Sequence, residues 1–182
     1  MRHRFFVALL LASMATAARA DTQHGGLPLV LRGRPHLQGP VEVRTPMRVR
    51  IVELHGHYGP YVVLGYRAGL LARRLLKSPG YFDLKCAIES PLAPPPSCLV
   101  DGVQLGAGCT LGKRNIELRG GKIGRVVFTT KAGRSATVAL RKDLPGKIAT
   151  WIHKLGVENA GALCARLPEE QLFEVKSGPP AK

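Results

Sequence analysis

The chain has 182 residues, which is enough for one domain with a substantial hydrophobic core. Its composition of 45% hydrophobic and 21% charged residues is that of a globular protein and excludes general disorder. The formal net charge of +15 suggests acidic partners, but the basic residues are spread along the chain with few aromatic residues among them. We therefore expect a solvated cationic surface rather than a nucleic-acid interface.

Residues 1–20 have the features of an export signal. Arg2 and Arg4 form a positively charged start, Phe5–Met14 is apolar, and Ala18-Arg19-Ala20 is a small-residue cleavage site. The apolar run is shorter than the roughly 20 residues of a transmembrane helix, and no later stretch is longer. We expect cleavage after Ala20, a mature net charge of +12 and a periplasmic or secreted protein.

Export would place all four cysteines in an oxidising compartment, where disulfides persist. These are Cys86, Cys98, Cys109 and Cys164. Four cysteines allow three complete pairings, and the sequence does not choose among them. There is no Cys-x-x-Cys, so neither a zinc ribbon nor a thioredoxin-like motif is supported. Structural disulfides and metal ligation both stay open.

The first half of the chain contains one clear helix. Residues 21–45 are rich in Gly and Pro and predict short strands and loops, while Met47–Leu54 could be helix or strand. A helix is predicted from Pro60 to about Lys77, because apolar residues recur there at three- and four-residue spacings. Tyr81–Glu89 alternates like a strand and places Cys86 in the core.

The second half predicts a short helix, strands and then helices again. Cys98–Leu105 can form the short helix, in which Cys98 and Asp101 share a face. Gly120-Gly121 predicts a hairpin between Asn115–Arg119 and Lys122–Thr130. The remaining predicted elements are a turn at 131–134, a third antiparallel strand at 135–141, helices at 147–155 and from 157 to before Pro168, and a loose tail at 177–182.

Two histidines, His55 and His57, lie just before the predicted helix start at Pro60. In an extended segment, residues two apart point to the same side. The free N–H groups at a helix start favour an anion or a thiolate nearby. The histidines could simply cap a turn, but their position beside Gly56 and Gly59 favours a role in a site.

A second group of candidate residues follows Cys98. The segment with Gly108, Thr110 and Lys113 is rich in glycine but is not a nucleotide-binding phosphate loop, since Arg114 stands where Ser or Thr is required. Nucleotide hydrolysis is therefore not supported. A glycine-lined backbone beside a lysine could still hold an anionic cofactor or ligand.

Two motifs resemble signatures of FmdE, a family of formylmethanofuran dehydrogenase components. One corresponds to HGHxCPGxxLGxRxA and is present as His55-Gly-His57-x-x-Pro60…Leu64-Gly65-Tyr66-Arg67-Ala68. The other corresponds to CxxDAIQxxxGCTxGKxN and is present as Cys98-x-x-Asp101-Gly-Val-Gln104-x-x-x-Gly108-Cys109-Thr110-Leu-Gly112-Lys113-x-Asn115. The resemblance covers about residues 46–142.

The resemblance implies an α+β core, with helices packed on an antiparallel sheet, and a pocket formed by the two motifs. It also implies metal binding by the motif residues, His55, His57, Cys98 and Cys109. The chain departs from the family pattern at Gly59, where the family has a cysteine, so one expected sulfur ligand is missing. An exported protein is also not expected to work inside a cytoplasmic formylmethanofuran complex.

We therefore expect a single-domain, exported binding protein with an accessory or carrier role. It would hold a metal ion (Zn, Cu or Fe) or a small anionic ligand, with Asp101 binding the metal or orienting a ligand. The alternative is a metal-dependent enzyme that uses His57 or Asp101 for proton transfer. A structural disulfide between Cys98 and Cys109 is a third option.

The expected organisation has five segments. They are a signal peptide at 1–20, strands and loops at 21–45, the core at 46–142, helices at 143–176 and the tail at 177–182. Expected partners are a metal or small molecule rather than nucleic acid. The sequence leaves open whether the protein is a monomer or a homodimer.

Overall fold

The structure is a computed structural model that describes residues 46–122 and 124–178. In these residues, six helices pack with a five-stranded sheet, which confirms the predicted α+β class. The helices are α1 (Met47–His55), α2 (Pro60–Leu75), α3 (Leu99–Ala107), α4 (Leu144–Leu155), α5 (Val157–Arg166) and α6 (Glu169–Leu172). The strands are β1 (Leu84–Ser90), β2 (Ile116–Gly120), β3 (Arg125–Thr130), β4 (Ser135–Leu140) and β5 (Phe173–Gly178). The predicted signal peptide and N-terminal strands lie outside the described residues.

The first two helices of the described residues, α1 and α2, are consecutive and joined by a short turn. The segment that the sequence left open between helix and strand is the helix α1, of which only Ile51 is buried. It ends at Gly56, which adopts the left-handed conformation (φ 84°) that glycine accepts without strain. The predicted helix α2 is confirmed and begins at Pro60, whose missing N–H costs nothing in a first turn.

The sheet has the strand order β2-β1-β3-β4-β5. Three of its four strand pairings are antiparallel and the β1–β2 pairing is parallel, so the sheet is mixed rather than antiparallel. Of the predicted antiparallel pairings, only β3–β4 occurs. The turn at 131–134 joins β3 to β4 in a confirmed hairpin. Tyr81–Asp83, the start of a predicted strand, is instead a 3₁₀ turn leading into β1.

The hairpin predicted at Gly120-Gly121 is wrong. The strands that flank these glycines, β2 and β3, do not pair with each other, because β1 lies between them. β2 runs parallel to β1, with Cys86 beside Ile116, and β3 pairs with the other edge of β1. A local turn signal reports that the chain changes direction, but it cannot report that an earlier strand occupies the space between.

The C-terminal segment combines the predicted helices with a strand that was not predicted. Helices α4 and α5 are confirmed, and β5 then pairs with β4, placing Phe173 opposite Leu140. Only Phe173 of this strand is buried, although Phe173-Glu-Val175-Lys alternates apolar and polar residues as a strand does. The predicted loose tail at 177–182 is wrong for Ser177 and Gly178, which pair with β4 as the end of β5, and residues 179–182 lie outside the described residues.

Helices α2 and α3 touch backbone to backbone through glycines spaced four residues apart on each helix. A Cβ at Gly65 would lie 2.0 Å from the Leu99 carbonyl oxygen, and one at Gly102 would lie 2.0 Å from that of Val62. Gly69 and Gly106 make equally close approaches, at 2.4 and 2.1 Å. A side chain at any of these positions would force the two helices apart.

The buried core lies between this helix pair and one face of the sheet. It includes Val62 and Leu64 of α2, Val103 of α3, and Ile88 and Phe128 of the sheet, all with no exposed surface. Among the described helices, none combines the length and the apolar character needed to cross a membrane.

We expect Gly102→Ala to lower the free energy of unfolding by about 2–3 kcal/mol, because the added methyl group meets a rigid carbonyl oxygen. The matched control is Gly146→Ala, in exposed helix α4, where nothing lies within 4 Å of the added methyl group. The control should gain about 0.5–1 kcal/mol from helix propensity. Urea unfolding measures the free energy of unfolding of both variants, and equal changes in the two would contradict the close contact between α2 and α3.

Candidate functional site

His55 and Asp101 form the centre of the candidate site. His55 is the last residue of α1, and Asp101 lies in the first turn of α3. The His55 Nδ1 atom is 2.7 Å from Asp101 Oδ2, and since a carboxylate only accepts, the ring nitrogen donates. This hydrogen bond fixes the orientation of the imidazole and leaves the lone pair on Nε2.

The other ring nitrogen of His55 is unusual within the described residues. The side chain is only 10% exposed, and Nε2 is fully buried with no hydrogen-bond partner. A buried polar atom without a partner costs free energy, and in native proteins it commonly marks a ligand or catalytic position. The atom that could bind a metal or accept a proton is therefore Nε2.

His57 lies beside His55, as the sequence suggested, but for a different reason. The two rings have their centroids 4.5 Å apart, tilted by 39°. The segment is not extended, because His55 closes α1 and Gly56 reverses the chain. His57 is exposed and so retains rotamer freedom.

The position of the missing family cysteine is next to His57. A Cβ built on Gly59 would lie 2.9 Å from His57 Nε2. The backbone there is extended (φ −82°), so a side chain is conformationally allowed. Gly59 thus belongs to the surroundings of the histidines.

Cys98 and Cys109, which the sequence placed in one site, lie at opposite ends of α3. Cys98 immediately precedes the helix and is half-buried, and burial followed by the Asp101 carboxylate raises the pKa of its thiol. The nine-residue helix between Cys98 and Cys109 rises about 1.5 Å per residue, so its full length separates the two cysteines.

Cys109 instead packs with Cys86 in the core. It is fully buried, and its Sγ lies 3.5 Å from the carbonyl oxygen of Leu84 on β1. A hydrogen bond with Cys109, together with burial, raises the pKa of the Cys86 thiol. The structure therefore does not bring Cys109 to the histidines or to Cys98, and all four cysteines are free thiols.

The glycine-rich loop after α3 uses its polar groups internally. Gly108 adopts a left-handed conformation (φ 73°), and a Cβ there would strike the Tyr81 ring at 2.7 Å. Thr110 Oγ1 accepts hydrogen bonds from the backbone N–H and the Nζ of Lys113, each at 3.3 Å. These contacts shape the loop, and the anion site suggested for Gly108, Thr110 and Lys113 stays a prediction.

Asn115 holds this loop against the sheet. Its side-chain oxygen accepts from the N–H of Thr110 at 2.9 Å, and its Nδ2 donates to the carbonyl oxygens of Tyr81 and Leu84 at 2.6 and 2.8 Å. Its place in the second motif is thus explained by the fold.

Two contacts from α5 were missed by the sequence analysis. Glu158 Oε1 accepts from the N–H of Tyr58 at 2.9 Å and also pairs with Arg48 of α1. Arg67, in the first motif, donates to the carbonyl oxygens of Cys164 and Leu167 at 2.6 Å each and so caps α5. Arg67 could have been found from its place in the first motif, but no motif or local sequence pattern indicates the contacts of Glu158.

The described residues contain no group of three or more His, Cys, Asp and Glu side chains arranged to hold a metal ion. Two imidazoles and a carboxylate lie together, and the thiols do not converge on them. A shallow groove of about 530 Å³ lies elsewhere, between α4 and the end of α5, lined by Arg141, Trp151 and Glu170 among others. The histidines do not line this groove.

Fold and site together define an α+β protein with a carboxylate-oriented histidine beside the contact of two helices. The model of the FmdE family, described as "FmdE, Molybdenum formylmethanofuran dehydrogenase operon", matches residues 54–178. The chain belongs to this family. The match extends beyond the 46–142 of the motif resemblance and includes α4, α5 and β5.

The chain is also similar to two other proteins. A tungsten formylmethanofuran dehydrogenase FmdE-like protein from Syntrophus aciditrophicus has a similar fold, with a TM-score of 0.51 and 24% identity over 74% of this chain and 70% of that one. A probable S-adenosyl-L-methionine-binding protein from Archaeoglobus fulgidus is 30% identical over 109 residues, which is 56% of this chain. The match spans only a quarter of that relative's length. The family is thus associated with metal-containing enzyme systems.

The burial of the cysteines predicts their reactivity. Native alkylation should modify Cys98 alone, slowly at neutral pH and faster as the pH rises past the ordinary thiol range, since only thiolates react. Cys164 should be protected both by burial and by a pKa raised to about 12. Mass spectrometry after iodoacetamide treatment measures this, and denatured protein should take up four labels. A Cys98–Cys109 disulfide would leave at most two.

Proposed function

We propose that this protein binds a transition-metal ion through His55 and His57 and acts as an accessory or carrier protein. The supporting observation is the buried, unpartnered Nε2 of His55, with Asp101 bonded to Nδ1 of the same ring. Metal-binding histidines almost always donate their other ring N–H to a carboxylate, a carbonyl or water, and this one does so.

The donor set suits a borderline metal. Neutral imidazole nitrogen binds Zn, Cu and Fe well, and a carboxylate behind the ring increases its basicity. His57 is the second ligand, because its exposed ring can turn to share an ion with its neighbour. A bound ion would also remove the cost of the unpaired Nε2.

Such a site would be open. Two protein ligands leave coordination positions to water, a small anion or a partner, which suits exchange of the metal rather than a closed structural role. Cys98, one turn before Asp101, could become a third metal ligand only as a thiolate. Burial and the Asp101 carboxylate raise the pKa of its thiol and keep it protonated. We expect moderate affinity.

The second candidate function is catalysis by the same residues. Because Asp101 is bonded to Nδ1 of His55, the atom that would move a proton is His55 Nε2, with Asp101 orienting the ring. This assigns the proton-transfer role to His55 rather than to His57 or Asp101. The name of the Archaeoglobus relative adds S-adenosyl-L-methionine to the organic ligands to be tested. Export to the periplasm stays a prediction from residues 1–20.

We expect the purified protein to bind one Zn²⁺ or Co²⁺ per chain, and the His55→Ala/His57→Ala variant to bind none. Asp101→Asn should weaken binding about 10–100-fold, since it removes the partner that orients His55. Isothermal titration with Zn²⁺ and the visible spectrum of Co²⁺ are the measurements, and S-adenosyl-L-methionine is titrated in parallel.

The matched control is His153→Ala, which removes an exposed histidine from α4. It should leave the stoichiometry and affinity unchanged. Binding that survives in the double variant but is lost with His153 would place the metal elsewhere on the surface. Binding of the organic ligand alone would favour the second candidate function.

Restoring the family cysteine should strengthen the site. We expect Gly59→Cys to raise Zn²⁺ affinity at least about tenfold, because a thiolate would be added beside His57 Nε2. Gly59→Ala adds the same Cβ without sulfur and serves as the control. Equal affinities for the two variants, measured by competition with a chromogenic chelator, would show that position 59 does not reach the ion.

A further inference from the structure

Within residues 46–122 and 124–178, β2 is an edge strand whose outer side has no strand partner. There it pairs with β1 on one side only, and Glu117 to Gly120 are exposed. Leu118, at its centre, is 44% exposed, and Leu92, 66% exposed, approaches Gly120 at the end of the strand. An edge with unpaired backbone groups and exposed apolar side chains is a template for pairing with another strand.

The charges on this strand are self-complementary. Glu117 and Arg119 flank Leu118 and lie on the same face of the strand, since they are two residues apart. Arg119 donates two hydrogen bonds to the Glu117 carboxylate, at 2.9 and 2.8 Å, and both side chains are more than half exposed. Both side chains are therefore available to pair with a second strand that presents Arg opposite Glu117 and Glu opposite Arg119.

We propose that the protein forms a homodimer in which the β2 strands of two copies pair antiparallel about a two-fold axis at Leu118. In this register Leu118 faces Leu118 of the second copy. Glu117 faces Arg119 of the second copy and Arg119 faces Glu117, so both charge pairs are favourable. The two sheets join into one sheet of ten strands.

The charge order and the apolar centre identify the occupant as a second copy. A two-fold axis requires that the same strand complement itself, and a Glu-Leu-Arg order does so only in the antiparallel sense. Leu92, beside Gly120, is then brought to Ile116 of the second copy, which adds apolar contact at each end. The opposite edge, β5, has a similar charge order in Glu174-Val175-Lys176, but nothing lies within 4 Å of a Cβ built on its terminal Gly178, whereas Leu92 lies against the matching Gly120 of β2.

The test is sedimentation equilibrium of the purified protein and its charge-reversal variants. Wild type should show a monomer–dimer equilibrium. Glu117→Arg and Arg119→Glu should each dimerise at least about tenfold more weakly, because like charges then face each other twice. An equimolar mixture of the two variants should regain wild-type dimerisation, since one copy then carries two basic and the other two acidic residues.

The mixture separates pairing from any loss of fold, because an unfolded variant cannot be rescued by another. Glu174→Lys on β5 is the control and should leave the dimer unchanged. A wild-type protein that stays monomeric, a mixture that fails to recover, or a dimer lost only in the β5 variant would overturn the proposal.

Discussion

The backbone contact between α2 and α3 is the constraint on which the arrangement of the site depends. Gly65 and Gly102 allow each helix to touch the carbonyl oxygens of the other, and no side chain fits between them. This contact fixes the start of α3 beside the start of α2, and therefore brings Asp101 within hydrogen-bond distance of His55. Gly65 lies in the first motif segment and Gly102 in the second, so the two segments of this chain meet at the contact of this helix pair.

Each motif combines residues that build the fold with residues that could carry chemistry. Arg67 caps α5, and Asn115 ties the loop after α3 to β1. The residues left without a purely structural explanation are the histidines, one of which has a buried unpaired nitrogen. Family membership accounts for the shared fold, and the departure at Gly59 lies where the chemistry of this chain would differ from that of its relatives.

The electrostatic environment separates the imidazoles from the thiols. Burial raises the pKa of Cys98 and Cys164, and a hydrogen bond with Cys109 together with burial raises the pKa of the Cys86 thiol, so these sulfurs stay protonated and weakly nucleophilic. The Asp101 carboxylate disfavours the thiolate at Cys98 and accepts a hydrogen bond from His55. The groups that the candidate site offers are thus imidazole nitrogen and carboxylate oxygen rather than thiolate sulfur.

The sequence by itself determined several of the local elements and the family. Helix α2, the β3–β4 hairpin and the buried Cys86 follow from short-range periodicity and turn chemistry, and the motifs identified the family. Only the tertiary structure decided that β1 lies between β2 and β3, and that Cys109 meets Cys86 rather than Cys98. Strand order and side-chain partners depend on contacts between residues far apart in the chain, and no local pattern encodes these contacts.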